Sequence, residues 1–182
     1  EETKKLADWC IRRSACFSPD GDLDFNNKTS VHNTTMEITT TVPFPNVHSH
    51  PRPENPVKRS HIQISTEEKM KQGIIEKSSA PWSSNCVVVT KDGKVRIRVD
   101  YRKLNAVTVK DNYLLPKIQE VMDALRGTSW FTSCDATQAY HQIPLKTDRD
   151  KDLTSFVTPD GGLYRYKYMP FGLKNAGAVW SR

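Results

Sequence analysis

The 182 residues of this chain are enough for one domain with a hydrophobic core and a shorter appended segment. Hydrophobic residues make up 36% and charged residues 26%, which indicates that one part folds and another is too polar to fold alone. No apolar run is long enough to cross a bilayer, no signal peptide is recognisable, and the four cysteines lack metal-ligand spacing. These properties argue against a membrane-spanning protein and predict an intracellular one with reduced thiols.

The net charge of +6 is unevenly distributed along the chain. Residues 1–60 hold 8 Lys/Arg and 8 Asp/Glu, whereas residues 61–182 hold 19 and 13. A basic second part predicts a polyanionic partner, with nucleic acid as the first candidate. A basic surface that serves only solubility is the alternative at this point.

Residues 1–60 are expected to form a connector of mostly irregular structure. A short helix could occupy residues 1–17, where Leu6, Trp9, Cys10 and Arg13 follow a helical period. The run V-P-F-P-N-V-H-S-H-P-R-P-E-N-P, from Val42, is incompatible with a helix because its prolines remove donors and favour extended neighbours. We therefore place the domain itself at residues 61–182.

Periodic elements begin after this run. A capping box at Ser65–Glu68 predicts a short helix that Gly73 closes. The strand C-V-V-V-T, the turn K-D-G-K and the strand V-R-I-R-V-D then predict a hairpin, with Arg96 and Arg98 on the face opposite the valines.

The second half of the sequence alternates between helix and strand signals. Pro116 is expected to open a helix whose apolar stripe packs in the core; the stripe consists of Ile118, Val121, Met122 and Leu125. W-F-T-S-C predicts a strand that ends at Asp135, and a second hairpin turns at P-D-G-G. A final helix starts near Lys174 and has no terminal cap, so we expect a piece of a longer sequence.

These patterns alone leave the chemistry open. Arg96 and Arg98 could clamp a phosphate, and Asp135 could bind a divalent cation. Equally, the arginines could be a solvated strand face, Asp135 a turn or cap residue, and Tyr140 a core residue.

Four segments together resemble the reverse transcriptases of gypsy-type retrotransposon Pol polyproteins. They are G-I-I-E-K-S-S-A-P-W-S-S from Gly73, V-D-Y-R-K-L-N-A-V-T from Val99, F-T-S-C-D-A-T-Q-A-Y-H-Q-I from Phe131, and Y-M-P-F-G-L-K-N-A from Tyr168. A weaker similarity in residues 17–38 extends the resemblance to the connector. The resemblance implies an α+β fold: a partial right-hand polymerase, comprising the fingers and the N-terminal part of the palm, preceded by the irregular connector.

The resemblance also implies roles for individual residues. Asp135 and the backbone carbonyl of Ala136 would hold catalytic Mg²⁺ (or Mn²⁺). Tyr140 would lie beneath the incoming sugar and reject a 2′-hydroxyl, Arg96 would contact the triphosphate, and Phe171 with Gly172 would pack near the nucleotide. Asp100, Tyr101, Arg102 and Asn105 would be structural or lie near the template.

Two departures weaken the expected triphosphate clamp: Thr90 and Val95 stand where relatives often have Lys and Trp. The family's Y-x-D-D box, which carries two further catalytic aspartates, does not occur in this sequence. Because two metals need several carboxylates, we expect the 182-residue chain alone not to polymerise DNA.

For the intact protein, the resemblance implies a primed RNA or DNA template and dNTPs as partners. It also implies ribonuclease H and integrase regions in the same polyprotein, no membrane association, and a cytoplasmic retrotransposon particle. The alternative is a decayed or domesticated remnant that only binds nucleic acid. A module that interacts through the Tyr164–Tyr168 face is a third interpretation.

Overall fold

The computed structural model of the chain describes residues 5, 34–43, 48–91, 94–114, 117–131, 133 and 135–182. Within them, strands and helices occur in separate runs, as expected for an α+β fold. In chain order the elements are α1 (Pro56–Lys71), β1 (Ile75–Lys77), β2 (Ser84–Lys91), β3 (Lys94–Val99), α2 (Arg102–Val107), α3 (Ile118–Ala124), a 3₁₀ turn (Ala139–Gln142), α4 (Asp148–Leu153), β4 (Phe156–Val157), β5 (Leu163–Tyr166) and α5 (Ala176–Ser181). No helix among these residues is long and apolar enough to cross a membrane.

Helix α1 begins earlier than the sequence predicted. Asn55 caps it by accepting a hydrogen bond from the Lys58 amide at 2.8 Å, and Pro56 occupies the first turn. Proline is favoured there because that position needs no intrahelical amide donor. The predicted start at Ser65 is therefore wrong, and the predicted domain boundary after residue 60 falls inside this helix.

One five-stranded sheet supports the site, in the order β1-β5-β4-β2-β3. Strands β2 and β3 pair antiparallel as the first predicted hairpin, and β4 pairs antiparallel with β5 as the second. Strand β2 joins the two hairpins through a parallel pairing with β4. Both hairpin predictions are confirmed, although residues 92 and 93 at the first turn lie outside the described residues.

The connector contributes to the core. Met36 and Ile38 are each 1% exposed, and Met36 forms an isolated parallel bridge with Leu145. The Ile38 amide donates to Oδ1 of the buried Asp150 at 2.8 Å. Residues 34–40 lack regular structure, as predicted, yet they pack as part of the domain. The helix predicted around Leu6, Trp9, Cys10 and Arg13 falls on positions outside the described residues.

Helix α3 forms, but its apolar stripe is not in the core. Ile118 is 83% exposed and Met122 60%, and no residue of α3 is buried. The core-packing prediction is wrong because helical periodicity predicts an apolar face and not what lies against it.

The strand predicted from Trp130 to Cys134 is also absent from the described residues of that segment. Trp130 is 88% exposed and Phe131 66%. None of the five described strands pairs with this segment, and an apolar run becomes a strand only when a neighbour satisfies its backbone donors and acceptors.

Candidate active site

Three aromatic rings meet where the 3₁₀ turn faces the last helix. The Tyr140 ring centroid lies 5.0 Å from that of Phe171 and 6.5 Å from that of Trp180. Gln138, which precedes the turn, has φ of 48° in the left-handed region and so redirects the chain sharply. We call Tyr140, Phe171 and Trp180 the aromatic corner. The structure thus brings Tyr140 and Phe171, both predicted site residues, into direct contact.

The turn that carries Phe171 needs a glycine next to it. Gly172 has φ of +96°, and a Cβ there would lie 3.6 Å from Cδ2 of Tyr101. The Gly172 carbonyl accepts a hydrogen bond from Nδ2 of Asn105 at 2.8 Å, and the Lys174 amide donates to Oδ1 of Asn105 at 2.9 Å. The sequence motif placed Asn105 in the family pattern but gave no sign of this contact.

His141 lies directly behind the aromatic corner. Its ring is buried, stacks on Tyr166 at 5.8 Å between centroids, and meets the edge of Phe171 at 5.4 Å. Burial, aided by the nearby charge of Lys69, lowers the pKa of His141 to about 4, so the ring is neutral at physiological pH. Nδ1 lies 3.2 Å from the Met169 carbonyl, which can only accept, so Nδ1 carries the hydrogen. Sequence reasoning assigned His141 no role.

A basic cavity of about 280 Å³ adjoins the aromatic corner. Three cations line it, and no carboxylate among the described residues does; the lining consists of Ser65, Lys69, Val95, Arg96, Ile97, Arg98, Val99, His141, Tyr166 and Phe171. The guanidinium carbon of Arg98 lies 4.9 Å from the Phe171 ring centroid, a cation–π distance. Arg96, two residues away on β3, is exposed beside it. The cavity therefore favours anions.

Asp135 and Ala136 have a different environment. Both are exposed and lie outside regular structure. Among the described residues no group of three or more His, Cys, Asp or Glu side chains could hold a metal ion. The carboxylate of Asp135 and the carbonyl of Ala136 offer two hard oxygens, whereas a Mg²⁺ ion takes about six. The described residues alone thus do not complete a divalent-metal site.

The V-D-Y-R motif has a structural part. Arg102 binds Asp100 through two hydrogen bonds of 2.8 and 2.7 Å, and this contact lowers the pKa of the Asp100 carboxyl. The Tyr101 hydroxyl, which is buried, donates to the Thr154 carbonyl at 3.0 Å. The motif therefore joins β3 and α2 to the segment between α4 and β4.

The three tyrosines of the Tyr164–Tyr168 face pack against the chain itself. Tyr166 is 4% exposed, and Tyr164 and Tyr168 pack against the core while partly buried. This packing gives no support to the third interpretation of the sequence, a module that interacts through this face.

Comparison with known proteins places this geometry in a family. Residues 77–182 match the model of the family described as "Reverse transcriptase (RNA-dependent DNA polymerase)". The chain is 33% identical to the Retrovirus-related Pol polyprotein from transposon gypsy of Drosophila melanogaster, in an alignment of 187 positions that covers 98% of the chain. It is 35% identical to the Pol polyprotein from transposon 297 of the same organism, in an alignment of 136 positions that covers 70% of the chain.

A solved structure shows the same fold. The crystal structure of the prototype foamy virus protease–reverse transcriptase matches 99% of this chain with a TM-score of 0.75 at 20% identity. The chain spans 24% of that protein, and 17% and 13% of the gypsy and 297 polyproteins. The elements described above are thus those of a partial right-hand polymerase, and the chain, which is similar to part of retrotransposon Pol polyproteins, belongs to the reverse transcriptase (RNA-dependent DNA polymerase) family.

Proposed function

We propose that this chain supplies the nucleotide-binding part of an RNA-directed DNA polymerase, which joins a primer hydroxyl to an incoming deoxynucleotide. One observation carries the proposal: Tyr140 contacts Phe171, and Phe171 lines a cavity together with three cations. An aromatic surface beside concentrated positive charge suits a ligand that has a sugar at one end and phosphates at the other.

The cations would bind the triphosphate. Arg96 and Arg98 project from β3, and Lys69 reaches the same cavity from α1. A guanidinium can hold a phosphate through two parallel hydrogen bonds, and a second cation offsets the remaining charge. Thr90 stands where relatives often have Lys, so one cation is missing, and Val95 stands where they often have Trp. Arg98 and Lys69 would therefore supply the charge beside Arg96.

Tyr140 would select the sugar. Phe171 and Trp180 pack on its ring from two directions, which limits its movement. A ring held in this way can support a deoxyribose and cannot give way to an added 2′-hydroxyl, so ribonucleotides would clash. Gly172 would allow the backbone to approach the nucleotide closely.

Asp135 would be one carboxylate of the metal site, with the Ala136 carbonyl beside it. Mg²⁺ (or Mn²⁺), when bound, would neutralise charge on the phosphates. Further carboxylates are needed beyond the two groups that the described residues provide.

The partners follow from the same proposal. The excess of basic residues in 61–182 would contact the backbone of a primed RNA or DNA template with little sequence preference. We further propose that the same polyprotein contains ribonuclease H and integrase regions and that the protein is located in a cytoplasmic particle.

Primer extension tests it. In a polymerase that contains this chain, Asp135→Asn should lower extension by at least about 100-fold, because even groups around a metal's ligands cost 10–100-fold when lost. Asp123→Asn on the exposed α3 is the matched control and should retain activity. Unchanged extension with Asp135→Asn would refute the metal role. Salt-sensitive nucleic-acid binding with no extension by the parent polymerase would favour the remnant instead.

A further inference from the structure

Asn105 joins two elements that are far apart in sequence. It lies in α2, 67 residues before Gly172, and its side-chain amide pairs with the turn after Phe171. Nδ2 donates to the Gly172 carbonyl at 2.8 Å while Oδ1 accepts from the Lys174 amide at 2.9 Å. A side-chain amide thereby pairs with the turn backbone much as a neighbouring strand would.

Lys174 reinforces the same connection. Its ammonium donates to the Thr108 carbonyl at 2.8 Å and to the Asn105 carbonyl at 3.3 Å. Both carbonyls lie at the C-terminal end of α2, where the helix presents unpaired acceptors and partial negative charge. The turn is therefore bound to α2 by one side chain from each partner.

These contacts affect the position of the Phe171 ring. This ring is 39% exposed, and the backbone next to it follows the left-handed φ of Gly172. A turn of this kind has other accessible conformations in which Phe171 would leave Tyr140. The contacts with Asn105 fix the residues directly after Phe171 and so favour the conformation of the turn in which Phe171 contacts Tyr140.

We propose that Asn105 is a positioning residue for nucleotide binding: it holds the Phe171–Gly172 turn against Tyr140 and so keeps the ring that would support the sugar rigid. This inference rests on the proposed function. Asn105 need not touch the nucleotide; it acts through the turn.

Two substitutions at this position and one control separate positioning from general stability. Asn105→Ala removes both side-chain hydrogen bonds. Asn105→Asp keeps the volume and the acceptor for Lys174 but places a carboxylate oxygen against the Gly172 carbonyl. Asn175→Ala is the control, because Asn175 uses its amide similarly, donating to the Val109 carbonyl at 2.8 Å and accepting from the Asp111 amide at 3.1 Å.

The measurements are the affinities for dGTP and GTP with Mg²⁺, the hydrogen exchange of the Lys174 amide and the melting temperature. We expect both Asn105 variants to bind dGTP about tenfold more weakly, the effect of one or two lost hydrogen bonds, and to discriminate less between dGTP and GTP. The Lys174 amide should exchange faster in Asn105→Ala, whereas Asn175→Ala should keep parent affinity and discrimination.

Unchanged affinity and discrimination in Asn105→Ala, with faster exchange at Lys174, would overturn the inference and leave the proposed function intact. If Asn105→Ala fails to fold, unchanged dGTP affinity and unchanged discrimination between dGTP and GTP in a folded Asn105→Asp variant would overturn the inference in the same way. Failure of the parent chain to bind dGTP more tightly than an Arg96→Gln variant would instead refute the proposed function, whatever Asn105 does.

Discussion

The aromatic corner and the segment leading to Asp135 would serve one reaction, but they are built differently. Tyr140 packs on both Phe171 and Trp180; Tyr140 and Trp180 also pack on the core, and Phe171 on the buried ring of His141. The residues before Asp135 include the exposed apolar stripe of α3 and two aromatic side chains, Trp130 and Phe131, that are more than half exposed. The groups proposed for the sugar are held by the chain's own core, and the proposed metal ligand is not.

This difference shows what local packing can accomplish. A steric test on a sugar needs one rigid ring, which two aromatic neighbours and a fixed turn can provide. A metal site needs several carboxylates that converge from different segments, and no such group occurs among the described residues. The two halves of the site should therefore respond differently to substitution.

Two methionines give the largest contrast in stability. Met169 is 0% exposed and Met122 is 60% exposed. Met169→Ala should lower the free energy of unfolding by about 2–5 kcal/mol because it leaves a cavity in the core. Met122→Ala should change it by less than about 0.5 kcal/mol. Urea denaturation of both variants measures this; equal losses would mean that the α3 stripe packs as the sequence predicted.

His141 should make stability depend on pH. Its pKa is about 4 in the folded chain against 6.5 for a free side chain, so between these values the unfolded chain binds a proton that the folded chain does not. The stabilisation is complete above pH 6.5 and is lost as pH falls towards 4, in total about 3 kcal/mol at 1.4 kcal/mol per pH unit. Unfolding free energies at several pH values should show this loss.

His141→Phe isolates that contribution, since phenylalanine keeps the stacking on Tyr166 and does not titrate. The difference in unfolding free energy between parent and variant should vary with pH across this window. A constant difference would show that the buried ring does not resist protonation and that the region behind the aromatic corner is open.

The connector provides a third test. Asp150 is 1% exposed and accepts from the Ile38 amide and, at 2.6 Å, from the Thr147 hydroxyl. Asp150→Asn should cost about 1–3 kcal/mol, because one acceptor becomes a donor that faces the donors of Thr147. Asp123→Asn on exposed α3 is the control and should be nearly neutral in urea denaturation. A neutral Asp150→Asn would mean that the hydrogen bonds between this carboxylate and Thr147 contribute little to the fold.

The features that the sequence predicted correctly depend on residues that are close together in the chain. The two hairpins follow from alternating residues and from Asp-Gly turns, which act over a few positions. The signal for the start of α1 is also local but ambiguous, because Pro56 both ends a proline run and suits the first turn of a helix. The burial of Ile38 depends on Asp150, 112 residues away. No periodicity encodes that separation.

The site shows the same division. Tyr140 and Phe171 could be identified by motif, and the structure brings them into contact. The amide of Asn105 and the cation of Arg98 act across 67 and 73 positions, respectively, so their partners become visible only once the chain is folded. Asp135 could be identified from the motif, but its environment could not be predicted. The strand expected directly before it is absent from the described residues, because none of the five described strands pairs with that segment.

Arg98 offers the smallest effect and the finest test of the aromatic corner. Its guanidinium lies over Phe171 and is exposed to solvent, so Arg98→Met should lower the free energy of unfolding by only about 0.5–1 kcal/mol, the range for exposed cation–π pairs. Arg96→Met, on the same strand face, should leave stability nearly unchanged and weaken dGTP binding instead. The double substitution Arg98→Met with Phe171→Leu should cost less than the sum of the two single changes if the contact is real. Strict additivity in urea denaturation would show that Arg98 does not stabilise Phe171, and the turn would then depend on Asn105 and its packing against Tyr140 alone.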